Sequence, residues 1–157
     1  MTRTILTLIL SFRVIALNAQ TFEQNNFKVK LDCNLENVLT TVNGVDNVSV
    51  YECTKQGTST SVFRIIVIGF KEKITDKETY INDIKRDYLK LGETSFIKIG
   101  TEKAVQVSQK VTIEGRNFKQ IWITFLYKNK GFTLVLITNS DNAMTLLDNF
   151  KKNFSLL

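Results

Sequence analysis

The segment 104–138 constrains the fold most strongly, because it reads as three consecutive β-strands joined by tight turns. Strands are predicted at 104–113, 118–127 and 132–138, with turns at 114–117 and 128–131. Turns this short join antiparallel neighbours, so the segment is predicted to be a meander. In the last two strands apolar side chains occupy both faces, and other parts of the chain must therefore cover both faces.

The rest of the chain adds strands and two amphipathic helices. Alternating apolar residues indicate strands at 27–33, 48–54 and 62–70, and the segment 35–42 suits a helical turn or a loop. A helix is predicted over 76–91, where Thr75 and Glu78 fit a capping box and Gly92 ends the segment. A second helix is predicted over 142–154. The order β-β-β-α-β-β-β-α predicts an α+β domain, an antiparallel sheet flanked by helices on both faces in an α/β/α sandwich.

Residues 1–20 have the layout of a secretory signal peptide. Arg3 precedes an apolar stretch, and a polar end follows at 18–20. Arg13 interrupts the apolar stretch, so an N-terminal surface helix or an uncleaved anchor remains the alternative. The stretch is shorter than the roughly 20 residues of a membrane span. We therefore predict a signal peptide at 1–20, a single domain at 21–157, no transmembrane segment, and export to the periplasm or the outside of the cell.

Export makes the two cysteines and the charge balance informative. Cys33 and Cys53 form an even pair in an oxidising compartment, which predicts one disulfide, with two buried free thiols as the alternative. Without residues 1–20 the chain carries 19 Lys+Arg against 15 Asp+Glu, a mild excess of +4. Its cations are scattered in small groups and its aromatic residues occupy strand positions, so a nucleic acid is not the predicted partner.

The sequence contains no histidine, which excludes several common kinds of catalytic site. Ser-His-Asp and Cys-His catalysis and histidine-containing zinc sites are excluded, and the sequence contains no phosphate loop or nucleophile elbow, so no cofactor is predicted. Asp32 and Glu52 each precede a cysteine. If the cysteines bridge paired strands, these two carboxylates could bind a cation or act as an acid/base pair. The alternative is two solvated charges beside Lys30 and Lys55.

A family resemblance rests on the closing part of the chain. The stretch GFTLVLIT at 131–138, then a helix, then FSLL at 154–157, together with the order of elements, resembles the PsbP-like family. This family comprises photosystem accessory proteins and related bacterial periplasmic proteins of the DcrB type. The resemblance covers most of residues 27–157, and it implies an α/β/α sandwich that acts as a non-catalytic exported module. It assigns a role to no particular residue.

The expected function is therefore that of an exported, non-catalytic accessory or binding module that contacts a protein or cell-envelope component. Two alternatives remain open. A carrier of a small apolar ligand would need a large cavity between sheet and helix. A hydrolase or lyase would need paired carboxylates with perturbed pKa values. The sequence specifies neither the partner nor the oligomeric state.

Overall fold

A computed structural model describes residues 19–24, 26–38 and 47–157, so residues 1–18 of the predicted signal peptide lie outside the described residues. Within these ranges no helix has the length and apolar character that crossing a membrane requires. The described residues form ten strands and two helices. In chain order these are β1 Gln20–Gln24, β2 Phe27–Leu31, β3 Glu36–Val38, β4 Asn47–Gln56, β5 Thr60–Gly69, α1 Lys77–Tyr88, β6 Glu93–Ile99, β7 Glu102–Ile113, β8 Arg116–Tyr127, β9 Lys130–Thr138, α2 Ala143–Asn153 and β10 Phe154–Leu156.

The strands form two antiparallel sheets. The large sheet has seven strands in the order β3-β4-β5-β9-β8-β7-β6, and the small sheet has three in the order β1-β2-β10. The predicted meander is confirmed as β7, β8 and β9, which pair in sequence order. The turn between β7 and β8 contains Glu114 and Gly115 at φ values of 50° and 75°, the left-handed region that a two-residue hairpin turn of this kind requires.

One face of the large sheet, here called the core face, packs against the small sheet and α2. Directly opposed residues lie on the same face, and the two central rows of β4, β5, β9 and β8 on this face consist of side chains that are at most 8% exposed. Phe27 and Val29 of β2, together with Leu147 and Phe150 of α2, complete this apolar cluster. The two central rows are Cys53, Phe63, Leu136, Ile121 and Tyr51, Ile65, Leu134, Ile123.

The opposite face of the large sheet, here called the helix face, is covered by α1 over strands β6 to β8. The Tyr88 hydroxyl forms a hydrogen bond with the hydroxyl of Thr124 at 2.6 Å, and the Tyr88 ring packs edge-on against Trp122. The helix begins one residue later than predicted, because Asp76 rather than Thr75 is the N-cap. The Asp76 carboxylate accepts a hydrogen bond from the backbone N–H of Thr79 at 2.9 Å, and this hydrogen bond holds the pKa of Asp76 below its ordinary value.

The predicted disulfide is confirmed. Cys33 and Cys53 are bonded, with their Cα atoms 5.9 Å apart. Cys33 follows β2 of the small sheet, whereas Cys53 lies within β4 of the large sheet. The bond therefore connects the two sheets covalently.

The predicted α/β/α sandwich is wrong. Strands account for 58% of the described residues, and the fold is a β-rich arrangement of two antiparallel sheets with two helices. The helix face is covered by α1, whereas the core face is covered by the small sheet together with α2. The prediction placed 27–33 in a single sheet and missed four strands: β1, β3, β6 and β10. The strands β1, β3 and β10 have only 5, 3 and 3 residues and carry too few apolar residues for an alternating pattern. In β6 the apolar residues Phe96 and Ile97 are adjacent, which interrupts the alternation.

Candidate functional site

An open cleft lies where the β7–β8 hairpin extends past the end of β6. Pairing of β6 with β7 stops at Glu93 opposite Ser108, while β7 and β8 continue to pair as far as Ile113 opposite Arg116. The space beside the hairpin is a cleft of about 540 Å³, within the size range of small-molecule sites. We call it the lysine cleft; it is lined by Leu91, Gly92, Glu93, Ser108, Gln109, Lys110, Asn117, Phe118, Lys119, Thr138, Asn139 and Ser140.

Two lysines face each other across the hairpin in this cleft. Lys110 of β7 is directly opposite Lys119 of β8. Side chains in such positions start from Cβ atoms about 5 Å apart, and like charges there repel each other. Neither lysine forms an ion pair with an acidic side chain of the described residues, although Lys119 lies 3.8 Å from the sulfur of Met144. An anion placed between the two ammonium groups would remove this repulsion.

The floor of the lysine cleft is rigid. The Thr138 side chain is 1% exposed, and its hydroxyl bonds to the Ser61 hydroxyl at 2.8 Å and to the Thr60 carbonyl at 3.1 Å. The same oxygen accepts the backbone N–H of Ser140 at 3.0 Å. Thr138 is therefore committed to the protein itself and holds the start of the segment that leads into α2.

The groups that remain free in the cleft are mainly hydrogen-bond donors. The carbonyl oxygen of the Asn139 side chain accepts the backbone N–H of Thr60 at 2.7 Å, which leaves its amide N–H groups to donate. The corresponding oxygen of Asn117 accepts the Thr112 hydroxyl at 3.1 Å, with the same result. Glu93 is the one acidic side chain of the lining. Amide and ammonium donors together suit an acceptor-rich group such as a carboxylate or a phosphate.

Lys110 and Lys119 were not among the site residues predicted from the sequence. The signal for this pair was present, because a two-residue turn centred on Glu114 and Gly115 places residues 110 and 119 opposite each other. What the pattern could not show is that β6 ends before this pair and leaves room beside it.

The structure does not bring Asp32 and Glu52 together. Glu52 lies opposite Arg64 on the helix face, and its carboxylate accepts Nε of Arg64 at 2.6 Å. Asp32 forms an ion pair with Lys55 instead. Lys55 is opposite Ser61, on the core face, so the two carboxylates lie toward different faces of the large sheet. No group of three or more metal-ligating side chains occurs within the described residues.

The strongest increase in pKa belongs to a half-buried tyrosine outside the lysine cleft. Burial raises the pKa of Tyr80 to about 12, and the nearby Tyr88 adds to the increase. The Tyr80 ring packs edge-on against Phe70 beneath α1. Tyr80 is thus protonated at neutral pH and acts as a packing residue.

Two further open clefts are smaller, at about 280 and 270 Å³. The space between the two sheets is filled by aromatic rings. Phe125 and Phe132 stack with centroids 5.3 Å apart and are each 0% exposed. Phe27 packs edge-on against Phe132 at 6.2 Å. This filled interior counts against a carrier that holds an apolar ligand between the layers.

Comparisons with known proteins show a fold and no function. No family model matches the chain, and no curated protein matches it significantly. A crystal structure of a protein from Bacteroides thetaiotaomicron VPI-5482 superposes with a TM-score of 0.54 at 17% identity, over 83% of this chain and 45% of that chain. The chain thus spans less than half of that protein. At this identity the likeness shows a shared fold alone.

A second solved structure is less similar. LpqN, involved in cell envelope biogenesis of Mycobacterium tuberculosis, superposes with a TM-score of 0.43 at 13% identity, over 79% of this chain and 84% of that chain. The resemblance to the PsbP-like family is supported by neither comparison and stays a prediction, while the sandwich that it implied is replaced by the two-sheet fold.

Proposed function

We propose that the protein is an exported, non-catalytic binding module that recognises an anionic group of a protein or cell-envelope partner in the lysine cleft. The observation that carries the proposal is the opposed pair of Lys110 and Lys119, which has no acidic partner among the residues that the structure describes and borders a cleft of about 540 Å³. The neighbouring amides of Asn117 and Asn139 add neutral donors to the two cations. An anion with several acceptor oxygens would satisfy both kinds of group.

The lining also favours an anion that is attached to an apolar group. Leu91 is 41% exposed and Phe118 is half-buried, and both border the same cleft as the lysines. A pocket that combines apolar walls with a few oriented polar groups is the common form of a specific binding site. A carboxylate side chain on a protein, or a headgroup on an envelope component, fits this combination.

The disulfide supports the proposed export of the protein. Bonds of this kind persist in oxidising compartments and are rare in the cytosol. The Cys33–Cys53 bond is partly protected, because Cys53 is 4% exposed. The free ammonium groups of the two lysines and the free amide N–H groups of Asn117 and Asn139 are suited to binding an anion.

The proposal is tested by capturing partners with matched variants. The tagged protein is exposed to native envelope and culture fluid under non-reducing conditions, and retained proteins and lipids are identified by mass spectrometry. The test variant combines Lys110→Gln with Lys119→Gln. The control combines Lys30→Gln with Lys152→Gln, which removes the same charge at two exposed positions that have no acidic partner in the described structure. We expect the partner to be lost from the first variant and retained by the second.

A second measurement uses inorganic phosphate as a probe of the cleft. Titration followed by NMR should shift the backbone signals of residues 108–110 and 117–119 in the wild type and in the control variant, but not in the Lys110→Gln, Lys119→Gln variant. Because the cleft is open to solvent, the shifts should weaken as salt rises and the Debye length falls from about 10 Å at 0.1 M to about 3 Å at 1 M. Equal capture and equal phosphate shifts in all three proteins would refute the proposal.

A further inference from the structure

The outer edge of β6 is a second surface that has no partner in the described part of the chain. β6, Glu93–Ile99, ends the large sheet and pairs along its whole length with β7 on its inner side. Its outer side has no strand beside it within the described residues. Half of the backbone N–H and C=O groups of an edge strand point outward, where they can pair with an added strand. Apart from Glu93, the residues of β6 do not line the lysine cleft.

Two lysines contact an aromatic ring on the helix face of this edge, and a third lysine lies on the same face of β6. The Phe96 side chain is 40% exposed, and the Nζ atoms of Lys85 and Lys103 each lie 4.1 Å from the centroid of its ring. Lys98, the next residue on this face of β6, is directly opposite Lys103. Lys103 is paired with Glu78, whereas Lys85 and Lys98 have no acidic partner in the described part of the chain. The edge therefore presents an exposed ring in a strongly cationic setting.

We propose that the β6 edge accepts an extended acidic segment of a partner protein as an added strand. The main-chain groups of β6 would provide the pairing, and the lysines would select the charge of the segment. This surface is separate from the lysine cleft, and the proposal does not depend on the function assigned to that cleft.

Charge argues against a second copy of the same strand. In an antiparallel pair of β6 strands centred on Phe96, each copy would bring Lys85, Lys98 and Lys103 to one face, so that six ammonium groups would lie close together. Lysines on edge strands are a common protection against such self-pairing. An acidic segment reverses the sign of the interaction, because its carboxylates meet the same lysines with opposite charge.

The two faces of β6 also predict the pattern of the added segment. Phe96 and Lys98 lie on the helix face, while Ser95, Ile97 and Ile99 lie on the core face. Successive side chains of a strand point to opposite faces, so a segment beside β6 should carry acidic residues at alternate positions with apolar residues between them. The apolar residues would extend the core face next to Ile97.

The test uses a capped eight-residue peptide of alternating Glu and Val as the probe, and the same peptide with Lys in place of Glu as its control. The protein, expressed from residue 1 and purified as exported, is titrated and followed by NMR and by amide hydrogen exchange. We expect the Glu peptide to shift the signals of β6 and to protect alternate β6 amides from exchange. We expect no binding of the Lys peptide.

Charge-reversal variants distinguish binding of the peptide at the β6 edge from a general attraction of the peptide to a basic protein. The variant Lys85→Glu with Lys98→Glu should bind the Glu peptide at least tenfold more weakly and should gain binding of the Lys peptide. Lys30→Glu with Lys152→Glu, which has the same net charge, should change the affinity less than threefold. If the first variant is not folded by NMR, Lys98→Glu alone should weaken binding about threefold.

Three results would overturn the proposal. The first is equal weakening in both double variants, or no shift in β6 at millimolar peptide. The second is a concentration-dependent dimer whose β6 amides are protected without peptide, which would identify a second copy as the occupant. The third is a set of shifts confined to the lysine cleft. Lys110→Gln with Lys119→Gln should leave binding at β6 unchanged, so this test and that of the proposed function can fail independently.

Discussion

Removal of the Cys33–Cys53 bond should destabilise the protein by about 3 kcal/mol. The two cysteines are 20 positions apart, and a closed loop of this length reduces the entropy of the unfolded chain by roughly 11 cal/mol/K, or about 3 kcal/mol at 25 °C. The variant Cys33→Ala with Cys53→Ala should therefore unfold at a lower urea concentration. With an m value of about 2 kcal/mol per M, the midpoint should fall by about 1.5 M.

The position of the disulfide predicts which part of the structure is destabilised first when the bond is removed. Cys33 follows β2 of the small sheet and Cys53 belongs to β4 of the large sheet, so the bond restrains the small sheet against the large one. In the double variant, amides of β2 should exchange with solvent through local opening, while those of β5 and β9 should exchange only on global unfolding. The wild type treated with reductant should behave in the same way as the variant.

A difference of less than about 1 kcal/mol between the free energies of unfolding of the wild type and the double variant, with no effect of reductant, would contradict this prediction. An equal loss of protection by the amides of both sheets would contradict the predicted order of opening. In the first case the bond would not constrain the unfolded chain as assumed. In the second case the two sheets would be held together by their apolar contacts alone.

Three further predictions concern packing and protonation. Phe132→Ala should cost about 3–5 kcal/mol in urea unfolding because the side chain is 0% exposed, whereas Leu89→Ala, at a side chain 61% exposed, should cost less than about 0.5 kcal/mol; similar losses would contradict the assigned core. Gly92→Ala should lower the melting temperature, since a Cβ atom would lie 2.3 Å from the carbonyl oxygen of Ser108, while Gly57→Ala, where no atom lies within 4 Å, should be tolerated; equal effects would refute the close approach of Gly92 to β7. The pKa of Tyr80 is about 12 in the folded protein and 10 in the unfolded chain, so its contribution to the free energy of unfolding is complete below pH 10 and is lost as pH rises toward 12. The loss should reach about 2 kcal/mol after allowance for the partial exposure of the side chain. Tyr80→Phe should flatten this part of the curve of stability against pH, and parallel curves for the two proteins would exclude Tyr80 as the cause.

The local periodicity of the sequence was enough to predict the central part of the fold. The strand patterns along 104–138 and the turns at 114–117 and 128–131 predicted the meander, which the structure confirms as β7, β8 and β9, although the first turn is shorter than predicted and is centred on Glu114 and Gly115. The apolar stripes of 76–91 and 142–154 likewise predicted α1 and α2. These signals are local, because turn geometry and side-chain alternation depend on residues close together in the chain.

The same local sequence patterns could not predict the candidate site. The hairpin pairs Lys110 with Lys119, but the cleft exists only because β6 stops at Glu93 and β7 continues past it. Asp32 and Glu52 were adjacent to a correctly predicted disulfide, yet they lie toward different faces, since Cys33 and Cys53 join two sheets rather than two paired strands.

By itself, then, the sequence determined the three-stranded meander, the two amphipathic helices and the pairing of the two cysteines. Only the tertiary structure decided that β2 leaves the large sheet to pair with β1 and β10, and that β6 ends the sheet with an open edge. The physical reason is that alternation reports whether a strand has a buried face, but contains no information about which distant segment covers that face. That choice depends on how the apolar faces of the whole chain fit together.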